Sequence, residues 1–143
     1  MSAYKILECS LVDKTTLLAG LRELGFVPVE HQEPASLHGY QGDARNQKAH
    51  IIVPKEQVNQ LFTNASNDIG FLWNEEKKEY SLIVSEYDVS SKLPGRIVQA
   101  YVKVAIETAL TTARWNITER TSEKELRKRK SQVKVKIAGR KLF

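Results

Sequence analysis

The stretch from Asp68 to Tyr87 constrains the fold of this chain more than any other. It contains two runs of alternating apolar residues, separated by residues 74–78, which carry no apolar side chain. The apolar positions are Ile69, Phe71 and Trp73 in the first run and Tyr80, Leu82 and Val84 in the second. A period of two is typical of strands with one covered face. The stretch therefore predicts a β-hairpin, and its large aromatic and β-branched surface places it in the middle of an antiparallel sheet.

The first 31 residues predict a β-α-β unit. Residues 4–12 alternate as a strand with Leu7, Cys9 and Leu11 on one face. Asp13 then occupies the position of a helix N-cap, leucines follow at helical spacing, and Gly25 ends the pattern. Residues 27–31 predict the second strand of the unit.

Residues 32–50 predict a loose polar segment, because proline, glycine and asparagine interrupt it repeatedly. Within it, Gly39-Tyr40-Gln41-Gly42 predicts a turn in which Tyr40 packs on the sheet, and the alternative is an aromatic platform for a ligand. Residues 49–53 form a short apolar run suited to a strand, and residues 55–67 have room for one or two helical turns before the hairpin.

A long helix is predicted after the hairpin, from Pro94 to Arg114. Its core-facing stripe is predicted to consist of Val98, Tyr101, Val102, Ala105, Ala109 and Ala113. Residues 115–121 and 132–138 predict two further strands, and residues 123–130 between them predict either the exposed loop of a hairpin or a frayed helical turn. The expected fold is α+β: an antiparallel sheet with two main helices on one face, in the order β-α-β-β-β-β-α-β-β.

Composition limits the class of protein. A chain of 143 residues suits a single domain, here 1–143, with a basic C-terminal hairpin or tail at 119–143. Cys9 is the single cysteine, so no intrachain disulfide can form, and an inert buried thiol is a better interpretation than a nucleophile. No apolar run approaches the length of a membrane span, and we expect a cytoplasmic protein that does not contact the membrane.

Five short motifs, spread in order over most of the chain, match the pattern of a known family. They are Leu17-Leu18 to Leu24-Gly25-Phe26, Gly39-Tyr40-Gln41-Gly42, Asp68-Ile69-Gly70-Phe71 with Trp73-Asn74, Tyr80, and Ala100-Tyr101 followed by Lys103-Val104. With these motifs the chain resembles the family of the hypothetical chloroplast open reading frame thirty-five, found in algal plastids and cyanobacteria, with related bacterial and viral members. It departs from the family at Tyr101-Val102, where a Tyr-His pair is usual, and at Phe143, where the family closes with tryptophan. The resemblance implies a plastid, cyanobacterial or phage origin and no established activity.

The sequence does not assemble a catalytic or metal site. The three histidines, His31, His38 and His50, have no paired spacing, and a zinc or iron site that joins them to Glu30, Glu33 or Asp43 is not expected. Cys9 lacks a neighbouring base, and Glu75-Glu76 lies in a turn, where solvated charges are the better interpretation. We therefore expect no catalytic residue, no metal and no cofactor.

The basic C-terminal end is the best candidate site. Residues 119–143 contain ten Lys or Arg against three Glu, whereas the rest of the chain has twelve Lys or Arg against fourteen acidic residues. The predicted nucleic-acid-binding residues are Arg127, Lys128, Arg129, Lys130, Lys134, Lys136, Arg140 and Lys141. Clustered cations bind phosphates by releasing counterions, so the leading expectation is a non-enzymatic protein that binds RNA or DNA.

Two other interpretations of the basic end stay open. The run of cations could be a solvated face that only keeps the protein soluble. Alternatively, the chain is an adaptor that docks through a sheet edge, or through the same basic segment, on an acidic protein partner or a larger cytosolic complex. The sequence leaves the partner and the oligomeric state open.

Overall fold

The computed structural model describes residues 3–61, 67–89 and 91–131, with side chains up to residue 116. The elements are, in chain order, β1 (Tyr4–Leu11), α1 (Lys14–Glu23), β2 (Val29–His38), β3 (Ala44–Val53), α2 (Lys55–Leu61), β4 (Ile69–Asn74), β5 (Glu79–Ser85), α3 (Glu86–Val89) and α4 (Leu93–Ser131). The chain divides into two compact units, Met1–Lys103 and Val104–Phe143, and α4 passes from the first into the second. The single domain expected from the sequence stays a prediction.

The sheet has five antiparallel strands in the order β1-β5-β4-β3-β2. The predicted hairpin is confirmed as β4 and β5, with Trp73 opposite Tyr80 and Phe71 opposite Leu82. It lies inside the sheet as expected, because β1 pairs with β5 and β3 pairs with β4. The α+β class is therefore confirmed.

One face of the sheet carries the main core. Its buried strand residues include Leu11, Ile51, Val53, Ile69, Phe71, Leu82 and Val84. The helices contribute Leu17, Leu18 and Leu21 from α1 and Leu93, Ile97 and Tyr101 from α4. Both main helices thus pack on the same face, as the sequence predicts, and Leu7 and Cys9 pack against this core from β1.

The ends of α1 follow the predicted local signals. The carboxylate of Asp13 accepts hydrogen bonds from the backbone N–H of Thr16 at 2.9 Å and from its hydroxyl at 2.6 Å, which is the N-cap arrangement. Gly25 has a φ of 95°, and the N–H groups of Gly25 and Phe26 donate to the carbonyls of Arg22 and Leu21. These bonds close the last turn of α1, and they form because Gly25 can adopt the left-handed backbone conformation.

The predicted loose segment at residues 32–50 is wrong, because most of it belongs to β2 and β3. The register of this ribbon shifts between Glu30 and Ala35 and again between Ser36 and His38. Each shift breaks the alternation of the side chains, so the sequence shows no period of two. The turn at Gly39-Tyr40-Gln41-Gly42 is confirmed, but Tyr40 is 67% exposed and does not pack on the sheet.

A smaller apolar cluster lies apart from the main core. Its buried members are Tyr4, Leu37, Ala49, Ile52 and Ile83. Gly70 permits their close approach, because a Cβ atom at this position would lie 2.7 Å from the Cβ of Ala49 and 2.9 Å from a methyl of Leu37. Leu37 of β2 and Ala49 of β3 therefore pack over a strand position that only glycine fits.

The long helix begins where the sequence predicts, with Pro94 in its first turn, but it ends later than expected. The strand predicted at residues 115–121 is wrong, and residues 123–130 are helical rather than the loop of a hairpin. The strand predicted at 132–138 lies outside the described residues. Ile117, Thr118 and Thr121 favour a strand locally, whereas the Glu-, Lys- and Arg-rich sequence without Gly or Pro that follows favours a helix.

The buried positions of α4 differ from the predicted stripe. Up to residue 116, where side chains are described, they are Leu93, Ile97, Ala100 and Tyr101, whereas Val102 is 45% exposed and Ala109 is also exposed. The Tyr101 hydroxyl accepts hydrogen bonds from the backbone N–H groups of Val12 and Asp13 at 3.1 and 3.0 Å, which fixes α4 beside the start of α1. Over the helical residues described, no stretch is long and apolar enough to span a membrane.

Candidate functional site

The basic residues predicted from the sequence fall into two groups. Residues 127–130 lie in the last turns of α4, and Lys134, Lys136, Arg140 and Lys141 lie outside the described residues. The expected hairpin is wrong, because its first strand and its loop are helical, and the strand face that Lys134 and Lys136 would share is untested. Arg127 to Lys130 lie in a helix, the second of the two predicted alternatives, and their role in binding stays a prediction.

Two clefts of the first unit lie beside the β2–β3 ribbon. The larger, which we call the aromatic cleft, has a volume of about 400 Å³. It is lined by Val12, Lys14, Glu30, His31, Gln32, His50, Ile51, Trp73 and Tyr80. The rings of Trp73 and Tyr80 meet edge to face, with centroids 4.9 Å apart and an interplanar angle of 65°. This geometry is a favourable one for two aromatic rings.

Hydrogen bonds fix the polar side chains around Trp73. Its backbone N–H donates to Nδ1 of His50 at 3.1 Å, and its indole N–H donates to Oε2 of Glu75 at 2.6 Å. Because Nδ1 of His50 is an acceptor, the neutral imidazole carries its proton on Nε2. His50 therefore has a ring N–H donor that the Trp73 contact does not use.

The charged side chains of the aromatic cleft pair with each other. Nζ of Lys14 lies 2.7 Å from Oε1 of Glu30. Burial raises the pKa of the Tyr80 hydroxyl, the charge of Lys14 acts in the opposite direction, and Glu30 and Asp13 raise it further. Tyr80 is therefore a neutral phenol at physiological pH and serves the cleft as an aromatic wall and a hydroxyl group.

The second cleft, which we call the Asp68 cleft, has a volume of about 300 Å³. It is lined by Val29, His31, Ala35, Ser36, His38, Ile52, Pro54, Lys55, Glu56 and Asp68. The carboxylate of Asp68 accepts the backbone N–H of Lys55 on Oδ1 and that of His38 on Oδ2, each at 2.8 Å. Nδ1 of His38 lies 3.4 Å from the same Oδ2. The buried carboxylate thus joins the end of β2 to the residue that begins α2.

The structure brings the three histidines to these clefts, although they are far apart in the chain. His31 lines both, His50 lines the aromatic cleft and His38 lines the Asp68 cleft. In the part of the chain that the structure describes, no three His, Cys, Asp or Glu side chains are placed to hold a metal ion.

Sequence reasoning missed these cleft residues for two reasons. The hairpin pattern does predict that Trp73 and Tyr80 share a face, but that pattern alone indicates core packing. The positions of His31 and His38 depend on the register shifts of β2, which leave no periodic signal in the sequence. Cys9, the other reactive side chain considered, is partly buried, and burial raises the pKa of its thiol, as expected for an unreactive cysteine.

Comparison with known proteins gives one match. No curated protein sequence and no solved structure is significantly similar to this chain. The sequence profile of one family matches residues 20–129, which include the last four residues of α1, the strands β2 to β5 and almost all of α4. The chain therefore belongs to the DUF1257 family, a family of proteins of unknown function.

Proposed function

We propose that this chain is a non-enzymatic binding protein whose basic C-terminal end contacts a polyanion, most simply RNA or DNA. The observation that supports the proposal is the position of Arg127 to Lys130 at the end of a continuous helix, Leu93–Ser131. A helix holds charged positions at fixed spacings, whereas a flexible loop must lose conformational entropy before it can do so.

The spacing of the basic residues suits a helix. Consecutive helical positions are about 100° apart, so residues 127–130 together go around the helix. Arg120, Lys124 and Arg127 recur at spacings of four and three, which falls on one line of a helix. A helix with cations along one line and around its end can neutralise several phosphates at once, and each neutralised phosphate releases counterions.

A charge-reversal variant tests the proposal. The variant replaces Arg127, Lys128, Arg129 and Lys130 with glutamate, and its affinity for fluorescent single- and double-stranded RNA and DNA is measured by anisotropy. We expect the affinity to fall at least tenfold, because the phosphate contacts are replaced by repulsion. Circular dichroism checks that both proteins fold.

A matched control separates local contacts from total charge. Replacing Lys5, Arg22, Lys48 and Lys92 with glutamate changes the net charge by the same amount, and all four side chains are exposed in the first unit. We expect this control to lose much less affinity than the variant of residues 127–130. Equal losses would show that total charge, and not the end of α4, determines binding, and would contradict the proposal.

A second candidate function is that of an adaptor that binds an acidic or extended protein segment through a sheet edge. β1 is an edge strand, and Ile6 on it is 63% exposed. Edge strands pair readily with an added strand, and an exposed apolar side chain on such an edge can rest on the partner. Ile6→Glu should weaken a protein contact of this kind, whereas the charge reversal at residues 127–130 should leave it intact.

The narrower family assignment is also a proposal. The motifs given above support membership of the chloroplast reading frame thirty-five family within the broader family, and with it a plastid, cyanobacterial or phage origin. We propose the cytoplasm, the plastid stroma or the cytoplasm of an infected host as the compartment. Localisation of a fluorescent fusion in the native cell tests this assignment.

A further inference from the structure

We propose that the aromatic cleft binds an uncharged planar heterocycle that has hydrogen-bond donors and acceptors on its edge, the chemistry of a nucleobase or nucleoside. The proposed site lies in the first unit and uses no residue of the basic end of α4. A test that fails for this cleft therefore says nothing about the proposed phosphate contacts, and the reverse also holds.

The cleft has the size and the walls of a small-molecule site. Its volume of about 400 Å³ is within the usual range for such sites. Val12 and Trp73 supply its accessible apolar surface, whereas Ile51 and Tyr80, which are 1% and 7% exposed, form its buried floor. Val12 is 57% exposed, so an apolar side chain faces water at this cleft until a ligand covers it. Covering such a surface with a ligand ring is favourable.

The aromatic wall is held in place before any ligand binds. Trp73 is fixed by its ring contact with Tyr80 and by the hydrogen bond from its indole N–H to Glu75. An aromatic side chain that is already ordered loses little conformational entropy when a planar ring packs on it. Heterocyclic bases bind to such rings regardless of their identity, because every base presents a π-face.

The polar groups of the lining match the edge of a heterocycle. Nδ1 of His50 is occupied by the N–H of Trp73, which leaves Nε2–H as a donor. The side-chain amide of Gln32 supplies both a donor and an acceptor, and His31 supplies a second imidazole. A ring with alternating donors and acceptors can form hydrogen bonds with these groups, which a hydrocarbon ring cannot.

The charge of the lining selects an uncharged ligand. Lys14 and Glu30 are the two formally charged side chains among the lining residues, and they pair at 2.7 Å. A phosphate would have to compete with Glu30 for the ammonium group and would be repelled by its carboxylate. The cleft therefore fits the base of a nucleotide and not its phosphate.

Tryptophan fluorescence provides the test. The chain has two tryptophans, so Trp115→Phe leaves Trp73 as the single emitter. This protein is titrated with adenosine, guanosine, uridine and cytidine up to ~5 mM, which detects even millimolar affinity, with calorimetry as a second readout. We expect saturable quenching by at least one nucleoside and no change in affinity with salt, because no phosphate is involved. No saturable signal with any of the four nucleosides, nor with the oligonucleotide described below, would overturn the proposal.

Two variants of matched chemistry locate the site. In His50→Asn the side-chain oxygen can still accept the N–H of Trp73, but the Nε2–H donor is lost, and we expect the affinity to fall at least fivefold. The same substitution at His38, in the Asp68 cleft, should leave it unchanged. Equal effects of the two variants, or none from His50→Asn, would contradict the assignment.

A further arm of the experiment distinguishes the source of the heterocycle. A short single-stranded oligonucleotide is titrated at high salt, where phosphate contacts are weak. If the cleft takes bases from a nucleic acid, the oligonucleotide quenches Trp73 and His50→Asn reduces the effect. If it takes free nucleosides, the nucleosides quench and the oligonucleotide does not. Either result supports the proposed chemistry. If neither the nucleosides nor the oligonucleotide quenches Trp73, the proposal is overturned.

Discussion

The hydroxyl group of Tyr4 donates a hydrogen bond of 2.8 Å to the backbone carbonyl oxygen of Asp68, across 64 residues of the chain. The bond is buried and joins edge strand β1 to the residue that precedes β4. Tyr4→Phe keeps the ring and removes the donor, so this carbonyl loses its partner. We expect the free energy of unfolding to fall by about 1–3 kcal/mol, measured by urea denaturation. A loss below about 0.3 kcal/mol would show that the bond is not part of the folded structure.

Because of the same hydroxyl group, we expect the protein to lose stability at alkaline pH. Burial, followed by the negative charge of Asp68, raises the pKa of Tyr4 above its ordinary value. The folded pKa lies above the unfolded one, so this contribution to stability is complete below about pH 10 and is lost as the pH rises further. We expect the wild-type protein to lose stability more steeply than Tyr4→Phe above about pH 10. Parallel pH profiles of thermal unfolding would contradict this.

Replacing one carboxylate oxygen of Asp68 should lower the free energy of unfolding. Asp68→Asn replaces an acceptor with an NH₂ group that must face the backbone N–H of either Lys55 or His38. We expect a loss of about 2 kcal/mol, because a buried donor is left without its acceptor. Asp43→Asn is the control, since this partly exposed carboxylate lies 3.9 Å from Arg45, and it should cost less than about 0.5 kcal/mol. Equal losses in the two variants would contradict the role of Asp68.

We expect Asp88 to make the free energy of unfolding depend on pH in the acidic range. Its carboxylate is buried and accepts the Ser85 hydroxyl at 3.0 Å. Burial raises its pKa, and the Ser85 hydrogen bond acts in the opposite direction. Because the folded pKa is the higher one, its contribution is complete below about pH 4 and is lost as the pH rises through the folded pKa. Asp88→Asn should therefore gain stability relative to the wild type between about pH 4 and pH 8, and a difference independent of pH would contradict this.

Two glycines should respond in opposite directions to the same substitution. At Gly70 an added Cβ would lie 2.7 Å from the Cβ of Ala49, so Gly70→Ala should destabilise the protein by about 1–3 kcal/mol. At Gly95, near the start of α4, no atom other than those of its chain neighbours and its own helix backbone lies within 4 Å of the added Cβ. Gly95→Ala should stabilise it by about 0.5–1 kcal/mol, because alanine favours the helix. Thermal unfolding measures both, and effects of the same sign would contradict the packing described.

How far the sequence predicts this fold depends on whether local and tertiary signals agree. The β4–β5 hairpin was predictable because its alternation is uninterrupted, and the ends of α1 were predictable because Asp13 and Gly25 are strong local signals. The length of α4 was not predictable, because Ile117 and Thr118 favour a strand locally. The Glu-, Lys- and Arg-rich residues after them favour a helix instead.

The clefts could be predicted only in part. Trp73 and Tyr80 are directly opposite in the hairpin, so their contact follows from its register. The convergence of His31, His38 and His50 required the two register shifts in β2, and such shifts arise from tertiary packing rather than from the local residue pattern. The basic run at residues 127–130 was visible from composition alone, but the sequence left open whether it lies in the loop of a hairpin or in a helical turn.

The salt dependence of nucleic-acid binding tests the central claim most directly. The observable is the slope of log affinity against log salt concentration for the wild type and for the charge reversal of residues 127–130. We predict a steep negative slope for the wild type that becomes shallower in the variant by at least about 0.9, the value of one phosphate contact on duplex DNA. A wild-type protein that shows no binding at low salt, or equal slopes for the two proteins, would contradict the claim that the end of α4 contacts phosphates.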